Sequence, residues 1–173
     1  VTLWVRREEA ALEMVGAREN RRYLPGVPFP DALEATHDLS RLRRCAPIVM
    51  AVPSHGYRDV LREFLAARAT RESVTVVSAT KGIEAESLAR MSQVSAEECE
   101  RAEVECRFAA FSGPTFAAEL ARAAPSAAVV ACEDEKIAAG LCEALASPTL
   151  RLYSSTDVAG VLFTSDPVTG ARE

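Results

Sequence analysis

A chain of 173 residues is long enough for one domain with a real core, and its 49% apolar and 26% charged content excludes a largely disordered protein. The net charge of −5 argues against a general nucleic-acid binder, which needs a basic face. No apolar run approaches the roughly 20 residues that cross a bilayer, and the opening VTLWVRREE turns charged too soon for a signal peptide.

VTLWV is β-branched and aromatic and reads as a strand that stops at Arg6 and Arg7. The acids in EEAALEMVG complement the start of a helix, and Gly16 is placed to end it. Residues 20–31, NRRYLPGVPFPD, hold three prolines and a glycine and are mostly loop. EATHDL follows as a short strand, then a basic helical turn, LSRLRRC. APIVMAVPS is an apolar run closed by Pro53, the pattern of a strand buried on both faces. Tyr57, Val60, Leu61, Phe64 and Leu65 then share one helical face.

VTVVSAT is the next strand, and it ends at Lys81 and Gly82. Only two of the twenty basic residues are Lys, so a compact point charge at position 81 stands out from the planar Arg used elsewhere. A solvated surface charge is the plainer alternative. The polar ESLARMSQVSAEECERAEVE predicts a helix and RFAAFSG a strand. In SGPTFA, Ser112 is expected to cap a helix and Pro114 to open it, through FAAELARAA. SAAVVAC, EDEKIAAGLCEALA and TLRLYSS repeat strand, helix, strand. Five cysteines without C-x-x-C spacing read as reduced thiols of a cytoplasmic protein and not as metal ligands.

This alternation predicts an α/β fold whose mostly parallel sheet is covered by helices on both faces. Ligands of such sheets lie beyond the carboxyl ends of the strands. AVPSH (51–55), SATKGIE (78–84) and SGPTFA (112–117) all fall at such ends.

Together with VTLWVRR and RYLPGVPFP, these motifs over residues 1–160 resemble the N-terminal, Rossmann-like cofactor domain of bacterial NAD(P)-dependent glycerol-3-phosphate dehydrogenase. The resemblance implies hydride transfer between NAD(P)H and dihydroxyacetone phosphate or sn-glycerol 3-phosphate, a step feeding phospholipid synthesis. It implies that Arg6 and Arg7 face the adenosine end of the cofactor, where a guanidinium pairs with a 2′-phosphate and favours NADP over NAD. It places Tyr23 along the cofactor cleft, Pro53 and Ser54 at the ribose side, and Ala117 against the cofactor. Lys81 is implied to contact both the nicotinamide end and the substrate, with Gly113 and Thr115 binding substrate. His55 has a suitable pKa for a general base, but the family does not use this position so, and a polar loop residue is expected.

The sequence also departs from the family. Its opening strand and glycine-rich pyrophosphate loop are not among these residues, and neither is the second Lys of the helical domain that follows. The chain starts with Val inside a strand, without an initiator Met, so further chain is expected in front. The absent strand belongs between VTLWV and IVMAV, leaving two edges that must pair together, be covered, or stay exposed and invite a second copy. Residues 161–173 form a tail, and with Gly160 it reads GVLFTSDPVTGARE, similar to a short segment of phosphoenolpyruvate synthase and pyruvate phosphate dikinase; read alone, it is a strand, VLFT, and an Asp-Pro turn. A fusion, a rearranged pseudogene and an assembly artefact all give this pattern. The expected function is therefore that of a dehydrogenase cofactor domain, inactive alone, with a non-catalytic nucleotide-binding or protein-interaction module as the alternative. A phosphotransferase fragment is a remote third reading, without a P-loop to support it.

Overall fold

The structure is a computed structural model that describes residues 1–159. The expected VLFT strand and Asp-Pro turn lie outside the described residues. Among the described residues, seven strands and five helices follow in chain order: β1 (Thr2–Trp4), α1 (Glu8–Ala17), β2 (Glu34–Thr36), β3 (Ile48–Met50), α2 (Ser54–Ala67), β4 (Val74–Ser78), α3 (Met91–Arg101), β5 (Cys106–Ser112), α4 (Ala117–Ala121), β6 (Ser126–Cys132), α5 (Glu135–Leu145) and β7 (Leu150–Ser155). One 3-10 turn, Leu39–Leu42, separates β2 from β3.

Strands β3 to β7 form one sheet in that order, parallel throughout except between β5 and β6. Strand β4, between β3 and β5, has valine at three of its five positions. Alternation sends Val74 and Val76 to one face and Val77 to the other, and all three are fully buried. On the first face they meet Tyr57, Leu61 and Phe64 of α2 with Val94 and Cys99 of α3. On the second, Val77, Ala109 and Val130 meet Ala138 and Leu141 of α5. Each large side chain so buried contributes about 1.5–3 kcal/mol. The expected two-faced cover is thus present, built by α2 and α3 on one side and α5 on the other.

Strands β1 and β2 pair in parallel as a separate two-stranded sheet. Arg18 ties the proline-rich loop back to this unit, donating to the carbonyls of Leu33 at 2.8 Å and Pro30 at 2.6 Å. Of the outcomes open to the edges of β1 and β3, pairing with each other is not the one adopted. As a result β3 is not buried on both faces: Ile48 and Met50 face the core, but Val49 is 53% exposed.

Other local expectations are corrected as well. Helix α1 runs through Gly16 and ends at Arg18, which takes the left-handed conformation (φ 53°) that glycine was expected to supply. Ser112 does not cap a helix, because it is the last residue of β5; α4 starts only at Ala117, after Phe116, and makes no side-chain cap. Helix α3 begins at Met91, since residues 84–90 close their own turn, with the Glu84 amide bonded to the Ala89 carbonyl at 2.9 Å.

Candidate functional site

Three neighbouring parallel strands deliver three loops to one end of the sheet. Met50 of β3 is level with Ser78 of β4, which is level with Ala110 of β5. From there the chain leaves as Val52-Pro53-Ser54, as Thr80-Lys81-Gly82 and as Gly113-Pro114-Thr115.

The first two loops are joined directly. The Ala79 amide donates to the Met50 carbonyl at 2.9 Å, and the Thr80 hydroxyl donates to the Val52 carbonyl at 2.8 Å. Gly82 has φ +88°, a conformation that L side chains rarely adopt, and a Cβ there would lie 3.8 Å from the Ser54 hydroxyl. Pro53 precedes α2 without capping it by a side chain, so the helix presents the positive end of its dipole beside this turn. Lys81, in the turn between Thr80 and Gly82, is half-buried. A cavity of about 50 Å³ separates the Lys81 turn from β5, lined by Ser78, Thr80, Gly82, Ala110 and Phe111.

Gly113 has a structural reason of its own. A Cβ there would stand 2.7 Å from the Ala127 carbonyl oxygen and 2.8 Å from Ala128 Cα, so the antiparallel packing of β6 demands glycine. Thr115 is folded onto its own loop, its amide donating to the Gly113 carbonyl at 2.8 Å. Ala117 opens α4 and is exposed.

Arg6, Arg7 and Tyr23 belong to the β1–β2 unit. Both arginines are exposed just past β1, and Tyr23 is exposed with the Arg22 guanidinium 5.2 Å above its ring. His55 is not a loop residue, being the second residue of α2. The two larger hollows among the described residues, of about 570 and 720 Å³, touch none of the expected site residues.

Sequence reasoning missed a cluster of charges behind the Lys81 turn. Arg58 of α2 donates from Nε and Nη2 to the two oxygens of Glu84, both at 2.7 Å, and from Nη1 to Glu98 of α3 at 2.9 Å. Arg62 meets the same Glu98, which is 1% exposed. The Arg58 fork, with help from Ser87, holds the Glu84 carboxyl down to about 2. For Glu98, burial works against the charge, but Arg62 and Arg58 outweigh it and keep the pKa low. The signal was present in the spacing: Glu98 falls on the stripe of Met91, Val94, Ser95 and Cys99, where a carboxylate needs partners. Below it, the Tyr57 hydroxyl and Ser95 share a buried hydrogen bond of 2.8 Å, and burial pushes the phenol up to about 12.

A helix-covered, mostly parallel sheet with its polar loops gathered at the strands' carboxyl ends defines a dinucleotide-binding type of α/β domain. The family described as NAD-dependent glycerol-3-phosphate dehydrogenase N-terminus matches residues 1–138, and the chain belongs to that family. It is 42% identical over 161 residues to a glycerol-3-phosphate dehydrogenase (NAD(P)+) of Corynebacterium glutamicum, covering 92% of this chain and 47% of the relative. Identity to the enzyme of the same name from Pelotomaculum thermopropionicum is 40% over 162 residues, covering 93% and 46%. Among solved structures, glycerol-3-phosphate dehydrogenase from Coxiella burnetii superposes with a TM-score of 0.82 at 29% identity, over 91% of this chain and 47% of that one. The Saccharomyces cerevisiae enzyme, at 24% identity and a TM-score of 0.75, shares the fold over 94% of this chain and 49% of its own. The chain spans about half the length of the curated relatives it matches.

Proposed function

We propose that this chain is the cofactor-binding part of an NAD(P)-dependent glycerol-3-phosphate dehydrogenase. Its parent reaction is hydride transfer between the nicotinamide and C2 of dihydroxyacetone phosphate or sn-glycerol 3-phosphate, in cytoplasmic synthesis of glycerophospholipid precursors. The observation that carries the reading is the convergence of the loops bearing Ser54, Lys81 and Gly113–Thr115 at one sheet end, with Gly82 in a positive-φ turn that favours glycine.

Residues fit the nicotinamide and substrate end of the cofactor. The open backbone at Gly82 allows close approach, and the uncapped start of α2 favours an anionic neighbour. The bound cofactor supplies or accepts the hydride. The Lys81 ammonium attracts the triose phosphate and stabilises negative charge growing on the carbonyl oxygen. Thr115 and the backbone at Gly113 orient the substrate once the loop releases its internal bond. Pro53 and Ser54 support the ribose, Ala117 packs on the cofactor, Tyr23 lines its cleft, and Arg6 with Arg7 selects NADP over NAD.

Neither a glycine-rich pyrophosphate loop nor a second catalytic Lys is among these 173 residues, so turnover by this chain alone is expected to be unmeasurable. Calorimetric titration should instead give weak binding of NADPH, weaker binding of NADH, and none of ATP. Reduction of dihydroxyacetone phosphate by the purified chain would overturn the first expectation, and equal silence toward both cofactors the second.

A second reading is an interaction module, with residues 161–173 as a separate tail. The exposed Val49 on an edge strand favours it, because an open apolar edge recruits a second copy or another strand. Light scattering distinguishes the two: a stable dimer without ligand supports association, and a monomer that binds cofactor supports the dehydrogenase domain.

A further inference from the structure

The loop bearing Lys81 is fastened at both ends, and its far fastening has no counterpart in the proposed chemistry. At the near end, Ala79 and Thr80 are bonded to the carbonyls of Met50 and Val52. At the far end, Glu84 receives the two-pronged Arg58 fork and a hydrogen bond from the Ser87 hydroxyl. Its amide is bonded to Ala89, and its carbonyl accepts from Leu88 at 2.9 Å. Only Lys81, Gly82 and Ile83 lie between the fastenings, and Gly82 is the residue whose backbone is least restricted by its own side chain.

The link to Glu84 is not needed to join α2 to α3. Glu98 already does that through Arg58 at 2.9 Å and Arg62 at 2.9 Å, and the Tyr57–Ser95 bond does so again. What the Arg58–Glu84 pair adds is a fixed distance between the start of the α3 connection and the body of α2. Arg58 is 20% exposed and Glu84 15%, so water competes little for the fork. Lys in place of Arg58 keeps the charge but offers no planar fork to both carboxylate oxygens.

We infer that Arg58 and Glu84 are positioning residues, whose bidentate pair sets where the Lys81 ammonium stands at the end of the sheet. The inference builds on the reading that Lys81 engages the phosphorylated triose, and its test separates the two. Lys81 and Lys136 are the only lysines, so lysine labelled with carbon-13 gives two side-chain signals, with Lys136 on α5 as an internal reference. In the wild-type chain the Lys81 ε-methylene signal should be the more ordered of the two. Glu84→Gln and Arg58→Gln, neither of which adds a lysine, should relax it toward the Lys136 signal, without moving Lys136 itself. Should either variant fail to fold, Ser87→Ala, which removes a single hydrogen bond to Glu84, must give part of the same relaxation. An ordered Lys81 signal unchanged in the folded variants overturns the inference. So does a loss of order that Lys136 shares, because that is what a merely structural role would produce.

Titration with dihydroxyacetone phosphate supplies the second arm, since a small misplacement of a binding group weakens productive contact by about tenfold or more. Weaker Lys81 shifts in the variants support both readings. Equal shifts in wild type and variants overturn the positioning role and leave the anion reading standing. No shift in wild type, with order still lost in Glu84→Gln, overturns the anion reading and leaves the positioning role standing.

Discussion

Replacing Gly113 by alanine separates what this glycine does for folding from what it does for a ligand. The last ladder pair of β5 and β6 is Ser112 with Val129, and the antiparallel register brings Gly113 against Ala128 next. The new methyl would stand 2.7 Å from the Ala127 oxygen and 2.8 Å from Ala128 Cα, where ordinary contact starts at 3.4 Å. The opposing atoms are backbone, so β5 and β6 must part by roughly half an ångström or more at their hydrogen-bonded end. Overpacking of this kind costs about 1–3 kcal/mol, offset in part by the roughly 0.4–1 kcal/mol that alanine gains by restricting the unfolded chain. A net loss of about 1–2 kcal/mol lowers the midpoint by about 2–8 °C in a domain of this size. Thermal unfolding followed by circular dichroism measures it. A variant that unfolds at or above the wild-type temperature would refute the packing argument and leave close ligand approach as the reason for Gly113.

Acid should weaken the fold through Glu84. Its folded pKa lies below the ordinary 4.5, at about 2, so its stabilisation is complete above 4.5 and is lost as the pH falls from there toward 2. The full shift would amount to about 3 kcal/mol, which partial solvent screening reduces to about 1–2 kcal/mol. Urea unfolding at pH 5 and pH 3 should therefore show a larger fall for the wild type than for Glu84→Gln, and equal falls would contradict the ion-pair account. Tyr57→Phe removes the buried bond to Ser95 and should cost about 0.5–1.5 kcal/mol in the same assay, with no change expected if the hydroxyl contributes nothing.

The sheet was legible because its strands announce themselves. Valine-rich runs ending in turn residues gave β4 and β6, and the helical spacing from Tyr57 to Leu65 gave the buried face of α2. What escaped depended on neighbours. Val49 looks as apolar as Val77, yet Val77 is covered by α5 while Val49 stands at an edge, and no pattern within IVMAV tells these apart. The residues after β5 suggested a capped helix, but the ladder with β6 claimed Ser112 first, so α4 starts five residues later. The motifs around Ser54, Lys81 and Thr115 were readable as strand-end loops, and the parallel register of β3, β4 and β5 explains why they share one end. Arg58 and Glu84 were not, because their pairing spans 26 residues and neither has a distinctive local setting.

The most direct measurement is a titration of the carbon-13 lysine-labelled wild-type chain with dihydroxyacetone phosphate in the presence of NADPH. The account predicts that the Lys81 resonance moves saturably while Lys136 stays in place. Movement of neither lysine, or of both in parallel, would contradict an anion-binding role for the end of β4.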